Sequence, residues 1–178
     1  QESAELVVHA SLTGHMVLST LHTNDSMGAV PRLIDMGAQP FLLASVMNMV
    51  LAQRLARRIC EKCKVAVDTP EDVIEKIRDD IKSIPEAYTK NIDLKKIVFY
   101  KGKGCSHCGG SGYRGRVALA EVIQFTDKLK ELVVTGYKPS EVLVELKKQN
   151  FITLRQDGIV KALLGQTALE EVFRVSQM

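Results

Sequence analysis

Two Cys-x-x-Cys turns constrain this chain more than any other feature of its sequence. Cys60 and Cys63 lie in CEKC, Cys105 and Cys108 lie in CSHC, and these four are the only cysteines. Each turn places two thiolates side by side, and two such turns complete a tetrahedral shell of four sulfurs for Zn²⁺. Four cysteine ligands leave no open position for a substrate. We therefore predict a structural zinc site that ties two distant stretches of the chain together.

Two disulfides or four free thiols are the alternatives to a metal site. Disulfides fit poorly, because the sequence shows no signal peptide and nothing else in it indicates an exported protein. The chain begins at Gln1 instead of a methionine, from which we expect a fragment of a larger protein. Reduced cysteines together with the missing export signal predict a cytoplasmic location.

Composition excludes several functional classes. The 178 residues are 46% hydrophobic and 25% charged, as is usual for a globular protein with a real core. A net charge of +3 and an aromatic content of 5% are too low to indicate a nucleic-acid partner. No apolar run is long enough for a transmembrane segment. We therefore predict a protein that neither binds nucleic acid nor spans a membrane.

Changes in sequence pattern divide the chain into three predicted domains. Residues 1–59 are apolar and regularly patterned, and residues 60–115 are charged and bracketed by the two cysteine turns. Residues 116–178 begin with a short strand and continue with helical patterns. Within this last part, Pro139 predicts a helix start, and Gly165 predicts a break between the last two helices. Capping boxes are predicted at Thr153 with Gln156 and at Thr167 with Glu170.

The first domain is predicted to contain three helices and one strand. Apolar spacing and glycine or proline punctuation give the following elements: a helix over 2–12, a buried strand over 16–21, a helix from 25 or 26 to 36, and a helix from 41 to about 55. Pro31 lies inside the second helix, so we expect that helix to kink or to start late. A further exposed helix is predicted over the charged residues 71–82, after Thr69 and Pro70.

A polar cluster that contains His22, Thr23 and Asn24 follows the predicted strand. In open α/β sheets, ligands bind beyond the carboxyl ends of strands, and a helix N-terminus nearby favours a phosphate. At that place His22 would donate a hydrogen bond to a terminal phosphate or orient a water. The alternative is that Thr23 and Asn24 only cap a helix and that His22 is a packed or surface imidazole. Spacing alone favours this second interpretation.

Three arginines precede the first cysteine turn. Arg54, Arg57 and Arg58 either face a nucleotide or a neighbouring subunit, or form a solvated face. The solvated face is the favoured interpretation for Arg57 and Arg58. His107 lies inside the second cysteine turn, and we predict that it does not bind the metal, because four cysteines already satisfy zinc.

Five segments together resemble one family, the hexameric ATPases of bacterial type II secretion and type IV pilus assembly. The segments are TGHMVLSTLHTND (13–25), GAVPRLIDMG (28–37), VLAQRLARRIC (50–60), GCSHCGGSGYRGRVALAEVI (104–123) and TLRQDGIVKALLGQTALEEVFRVS (153–176). They occur in the order that the family has, and the resemblance covers nearly the whole chain. The segment from 65 to 100 carries the resemblance least.

The resemblance implies an α/β fold with the C-terminal portion of a RecA-like ATPase core, a tetracysteine zinc subdomain and a small helical C-terminal unit. His15 and His22 then fall in the family's histidine box, with His22 as the catalytic residue close to the nucleotide γ-phosphate. His22, Thr23 and Arg54 are the implied nucleotide contacts. The implied cofactors are Zn²⁺ on the four cysteines and ATP with Mg²⁺ in the full-length protein.

The family also implies partners and an activity that this chain does not carry alone. No G-x-x-x-x-G-K-[ST] motif occurs, so we expect the isolated chain not to hydrolyse ATP. The implied assembly is a homo-hexamer at the inner membrane, held there through the platform proteins of a secretion or pilus machine. A different class stays open as an alternative, the DnaJ-type protein-binding zinc module, because CSHCGGSG fits its C-x-x-C-x-G-x-G pattern. CEKCKVAV lacks both glycines, which favours the ATPase.

Overall fold

The computed structural model describes residues 2–94 and 96–176, with side chains from residue 6 onward, and the fold is mixed α/β. No helix in these ranges is long and apolar enough to cross a bilayer. In chain order the elements are α1 (Glu2–Leu12), α2 (Ala29–Asp35), α3 (Pro40–Val46), β1 (Met49–Ile59), β2 (Lys64–Val67), α4 (Glu71–Ser83), α5 (Glu86–Thr89), β3 (Phe99–Gly102), β4 (Tyr113–Gln124), α6 (Asp127–Thr135), α7 (Pro139–Lys148), α8 (Leu154–Leu163) and α9 (Leu169–Ser176).

The four described strands form two separate pairs. β1 pairs with β4, and β2 pairs with β3 in an antiparallel register that sets Lys64 opposite Gly102. Cys60 N–H donates to the Gly112 carbonyl beyond one end of the first pair, and Phe125 N–H donates to the Asn48 carbonyl beyond the other. These two bonds show that β1 and β4 are also antiparallel.

Packing divides the chain into two units, each made of two stretches. The first unit comprises the described parts of 1–52 and 122–151, and the second comprises those of 53–121 and 152–178. The predicted domain boundaries after residues 59 and 115 both fall inside the second unit. The division of the chain into residues 1–59, 60–115 and 116–178 stays a prediction.

The core of the first unit is built mainly by α2, α3, α6 and α7. On α6, Leu129, Leu132 and Val133 are buried at the spacing of one helix face, while Thr126 caps the helix by accepting from Leu129 N–H at 3.3 Å. The helix α7 begins at Pro139, as predicted. The other fully buried members of this core are Val30, Leu43, Ile123, Val142 and Leu146.

The core of the second unit lies between α4, β3, α8 and α9. The predicted helix over 71–82 is present as α4, but it is exposed on one side only, because it buries Ile77 and Ile81 one turn apart. The capping box that opens α8 is also confirmed: Thr153 Oγ1 accepts from Gln156 N–H at 3.2 Å, and Gln156 Oε1 accepts from Thr153 N–H at 2.9 Å. Ile159 and Val172 are fully buried in the same cluster.

The predicted helix from 41 to about 55 is wrong in its second half. The helix α3 ends at Val46, where Met47 turns to an extended conformation with ψ of 125°, and residues 49–59 form β1. From residue 49 to 56 the exposed and less exposed side chains alternate, which is the period of a strand. The apolar side chains Met49, Leu51 and Leu55 on the exposed side made the segment look like a buried helix in sequence.

The predicted strand over 16–21 is also wrong for the described residues. These residues have no regular secondary structure, and the four described strands pair only with one another, so the segment has no neighbour among them. Met16 is 88% exposed and Leu18 is 86% exposed. The predicted late start of the following helix is confirmed, since α2 begins at Ala29 and Pro31 lies in its first turn.

The predicted capping box at Thr167 with Glu170 is wrong. Its hydroxyl donates to the Arg57 carbonyl at 2.8 Å, and α9 begins only at Leu169. Ile59 N–H donates to the carbonyl of Gln166 at 3.0 Å in the same region. The turn before α9 therefore holds the end of β1 instead of capping a helix. Gly165, with φ of +69°, separates α8 from α9, as predicted.

Candidate metal centre and its surroundings

The four cysteines converge on one point of the second unit. Their Sγ atoms all lie within 4.8 Å of one another. Cys60 and Cys105 are 3.9 Å apart at Sγ, Cys63 and Cys108 are 3.9 Å apart, and Cys105 and Cys108 are 3.8 Å apart. A tetrahedral zinc ion with Zn–S bonds of about 2.3 Å requires sulfurs about 3.8 Å apart. The donor set fits zinc, and all four cysteines are free of disulfides.

Backbone hydrogen bonds bring the two cysteine turns together. In the first turn, Cys63 N–H donates to the Cys60 carbonyl at 3.1 Å. Lys103 N–H then donates to the Cys63 carbonyl at 3.0 Å, which joins the first turn to the strand before the second. Cys60 N–H donates to Gly112 on the far side of the second turn at 2.9 Å. The second turn itself is a short 3₁₀ segment over Ser106–Cys108.

The second turn favours a thiolate at Cys108. The N–H groups of Cys105 and Gly112 donate to Cys108 Sγ at 3.2 and 3.3 Å. Burial opposes ionisation, but these two donors and the neighbouring thiols lower the pKa of Cys108 to about 6. Burial raises the pKa of Cys63 to about 12. A bound metal ion would favour the thiolate form at all four sulfurs, and the two N–H donors already favour it at Cys108.

Two glycine backbones cross in contact beside the metal centre. A Cβ on Gly102 would lie 2.0 Å from the Gly112 carbonyl oxygen, and a Cβ on Gly112 would lie 2.6 Å from the Gly102 carbonyl oxygen. Neither neighbour is a flexible side chain that moves aside. Gly112 N–H also donates to Cys108 Sγ, and the Gly112 carbonyl accepts from Cys60 N–H. The crossing therefore fixes the position of one cysteine turn relative to the other.

Substituting Gly102 with alanine is expected to destabilise the protein by about 2–3 kcal/mol, because two backbones must separate to admit the methyl group. Urea unfolding of the zinc-loaded protein measures this loss. Lys101→Ala, an exposed change in the same strand, should cost less than about 0.5 kcal/mol. Equal midpoints for the two variants would show that the crossing has room to relax.

A buried carboxylate anchors Arg57 near the metal centre. Glu171 is 1% exposed, and it accepts from Arg57 N–H at 2.9 Å and from Arg57 Nη2 at 2.7 Å. Arg174 adds a bidentate pair at 2.8 and 2.7 Å, and the Arg57 guanidinium lies 4.2 Å from the centre of the Tyr113 ring. Arg57 is about half-exposed, as a solvated face predicts, but its guanidinium is also bound to a buried carboxylate that the sequence did not indicate. Only the Glu171–Arg174 spacing of three along a helix hinted at this cluster in sequence.

Arg114 fixes the second cysteine turn from outside. Its Nη1 donates to the His107 carbonyl at 2.6 Å and lies 3.2 Å from His107 Nδ1. Burial, Arg114 and Lys62 lower the pKa of His107, so the imidazole stays neutral at physiological pH. The metal-binding cluster of the described residues contains cysteines only, in agreement with the prediction that His107 is not a ligand.

The predicted nucleotide residues lie in both units. His22 and Thr23 belong to the first unit, in the turn before α2, and Arg54 lies half-buried on β1 in the second unit. Thr23 Oγ1 donates to the Asp25 carbonyl at 2.9 Å, and Gly28 N–H donates to Asp25 Oδ1 at 2.7 Å. The His22 side chain is exposed. These contacts describe the turn, and the catalytic and nucleotide-binding roles stay predictions.

A known protein family matches nearly the whole chain. The profile of the family described as Type II/IV secretion system protein matches residues 1–174. The chain belongs to this family. The match includes His15 and His22, both cysteine turns and the C-terminal helices, so the resemblance found in the sequence is confirmed. A DnaJ-type zinc module is not favoured, because the cysteine turns lie inside the secretion-family match.

Relatives from both kinds of machine are similar to this chain. The type IV pilus assembly ATPase PilB of Myxococcus xanthus is 45% identical over 96% of this chain, which spans 29% of that protein. The PilB of Thermus thermophilus is 40% identical over 96% of the chain and 18% of its own length. The type II secretion system ATPase E of Vibrio cholerae is 40% identical over 99% of the chain and 32% of its own length. The chain thus spans a third or less of the relatives it matches.

Proposed function

We propose that this chain is the C-terminal part of a hexameric ATPase that powers type II protein secretion or type IV pilus assembly. The observation that carries the proposal is the family match over 174 residues, which includes His22 and all four cysteines. The relatives named as ATPases support nucleotide hydrolysis in the parent protein. Identities of 37–45% to members of both groups do not separate secretion from pilus assembly.

The metal centre has a structural role in this proposal. Four cysteine sulfurs at tetrahedral spacing leave no site for a substrate or a water. A zinc ion there would clamp the turn after β1 to the turn before β4, where hydrogen bonds already join them. Zinc would supply no chemistry to ATP hydrolysis. It would fix the second unit so that its surfaces keep one shape during turnover.

In the parent protein, His22 and Thr23 would contact the nucleotide, and Arg54 is a separate nucleotide contact that the family resemblance implies, with this chain as the C-terminal portion of a RecA-like core. An exposed imidazole before a helix is free to donate to a phosphate oxygen. ATP would bind with Mg²⁺, and the phosphate-binding loop would come from outside this chain, which contains no G-x-x-x-x-G-K-[ST] motif. The isolated chain is therefore expected to be inactive.

The parent would work as a homo-hexamer in the cytoplasm, peripheral to the inner membrane through the platform proteins of its machine. Ring assemblies use heterologous interfaces that close. Arg58 is 53% exposed, and its contact with Glu61 is long, at 3.8 Å. We therefore propose Arg58 as a contact to a neighbouring subunit. Arg57 is less suited to that role, because it is bound to the buried Glu171.

In the full-length parent, substituting His22 with alanine is expected to lower kcat for ATP hydrolysis by about tenfold to a hundredfold, with KM for ATP changed less than about threefold. The reason is that a contact to the γ-phosphate acts mainly as charge moves during cleavage. Steady-state ATPase kinetics measure both constants. His9→Ala, an exposed histidine on α1, is the matched control.

Unchanged kcat in the His22 variant would remove His22 from the catalytic site and return it to a surface imidazole of the turn. Loss of activity in both histidine variants would point to damage of the fold instead. Zinc content separates these cases from damage to the metal centre, which lies in the other unit.

A further inference from the structure

Positive charge is concentrated around the cysteine turns. Residues 57–64 and 101–116 hold eight lysines and arginines against one acid, Glu61. The whole chain has 24 basic and 21 acidic residues, so the remainder has 16 basic against 20 acidic. The small net charge therefore hides an asymmetry, with a basic region on a chain that is otherwise acidic.

Contacts in the second unit bring several of these basic residues close to the cysteine turns. Lys62 lies between the two cysteines of the first turn, and His107 lies between those of the second. Arg114 contacts His107 directly, through the His107 carbonyl at 2.6 Å. Lys103 is joined through its backbone to Cys63. We call the exposed residues Lys62, Lys101, Lys103, Arg114 and Arg116 the basic patch.

Internal pairing and the metal do not neutralise the basic patch. Glu61 is already held by Lys64 at 2.9 Å and lies near Arg58. Zinc with four thiolates carries a net charge of −2, which offsets only part of the surplus. A compact field of this kind attracts an acidic partner and speeds its association.

We propose that the basic patch binds an acidic segment of a partner protein. A surface that lies on lipid normally adds apolar side chains that enter the headgroup region. Every residue of 57–64 and 101–116 is described, and none is an exposed large apolar side chain. These residues come from the first cysteine turn, the end of β3 and the start of β4, which backbone hydrogen bonds join, and this arrangement suits a carboxylate-rich peptide laid across them. This binding is independent of the nucleotide site, which the proposal for His22 concerns.

Fluorescence anisotropy with a labelled short peptide of aspartate, glutamate, glycine and serine tests the proposal on the zinc-loaded chain. Combined Lys62→Gln, Lys101→Gln and Lys103→Gln substitutions are expected to weaken binding by about tenfold. The matched control combines Lys76→Gln, Lys90→Gln and Lys147→Gln, which are exposed and remove the same charge. The control should weaken binding less than about twofold. Arg114 is left in place because it holds the second turn.

Equal weakening by both variants, or equal binding of a peptide with asparagine and glutamine in place of the acids, would overturn the proposal. Binding to anionic phosphatidylglycerol vesicles or to a single-stranded oligonucleotide, with no binding of the peptide, would also overturn it and reassign the patch. Zinc content checks that the patch variant keeps its fold. If that variant loses zinc, Lys62→Gln alone decides, and unchanged affinity in it would overturn the proposal.

Discussion

Replacing Cys105 with serine is expected to abolish stoichiometric zinc binding and to unfold the surroundings of the metal centre. Structural zinc sites bind with about 10–16 kcal/mol in small peptides, which is comparable to the entire stability of a typical domain. Elemental analysis should find about one zinc per chain before the change and almost none after it. The midpoint of thermal unfolding should fall by about 10 °C or more, and protease should then cleave between Ile59 and Gly112.

The neighbouring Ser106→Ala variant is the control, since Ser106 is exposed in the same turn and offers no ligand to the cluster. It should keep both zinc and midpoint. Replacement of zinc by Co²⁺ gives a second readout, because a tetrahedral thiolate site absorbs visible light. Purified protein without zinc, with four reactive thiols and a midpoint that a chelator does not change, would restore the alternative of free thiols.

The metal centre was predictable because its signal is local in sequence. Each Cys-x-x-Cys turn fixes two sulfurs by itself, and the chain has no other cysteine to choose from. The same holds for Thr153 with Gln156 and for Pro139, whose effects on a helix start act within one turn. What these signals leave open is the close crossing of the Gly102 and Gly112 backbones, which depends on how the chain folds back between β3 and β4.

The two wrong elements fail for the same physical reason. The segment from 49 to 55 is apolar at most positions, so a helix and a strand both bury part of it, and the pairing with β4 decides for the strand. The segment from 16 to 21 is apolar too, but no described strand pairs with it. Strand formation depends on a neighbour, and no local pattern reports whether the neighbour is present.

The carboxylate of Glu171 is a third feature that sequence patterns miss. Arg57 and Glu171 are separated by 114 positions, and nothing in either local segment indicates the pair. Their meeting follows from the placement of α9 beside the end of β1, where Thr167 also bonds to the Arg57 carbonyl. Long-range ion pairs of this kind become visible only in the folded chain.

Substituting Glu171 with glutamine is expected to destabilise the protein by about 2–3 kcal/mol. The carboxylate receives four hydrogen bonds from Arg57 and Arg174, and a neutral amide offers one acceptor oxygen in place of two. The loss of stability stays below that of leaving a buried charge without a partner, because both arginines are about half-exposed and can be solvated by water instead. Urea unfolding at neutral pH measures the difference.

The same substitution is expected to make the free energy of unfolding less dependent on pH in the acidic range. The hydrogen bonds from Arg174, opposed by burial and reinforced by Arg57, hold the pKa of Glu171 well below its usual range. A carboxyl whose folded pKa is depressed stabilises the native state fully above its unfolded pKa of about 4.3, and this contribution is lost as pH falls toward the folded value. The wild type should therefore lose more stability than Glu171→Gln between about pH 5 and pH 2.

Glu141→Gln separates this effect from the general protonation of surface acids. Glu141 is about half-exposed, and its ion pair with Lys138 spans 3.5 Å, so the change should cost less than about 0.5 kcal/mol and leave the pH profile unchanged.

Arg57→Met adds the complementary test, because it keeps the stem over Tyr113 and removes one of the two partners of Glu171. If Glu171→Gln and Arg57→Met both behave like Glu141→Gln, the pair contributes nothing measurable and Arg57 returns to a solvated face. If both are costly and their costs do not add, Arg57 is a structural anchor of the second unit, and a charge reversal there would report on folding instead of on ring assembly.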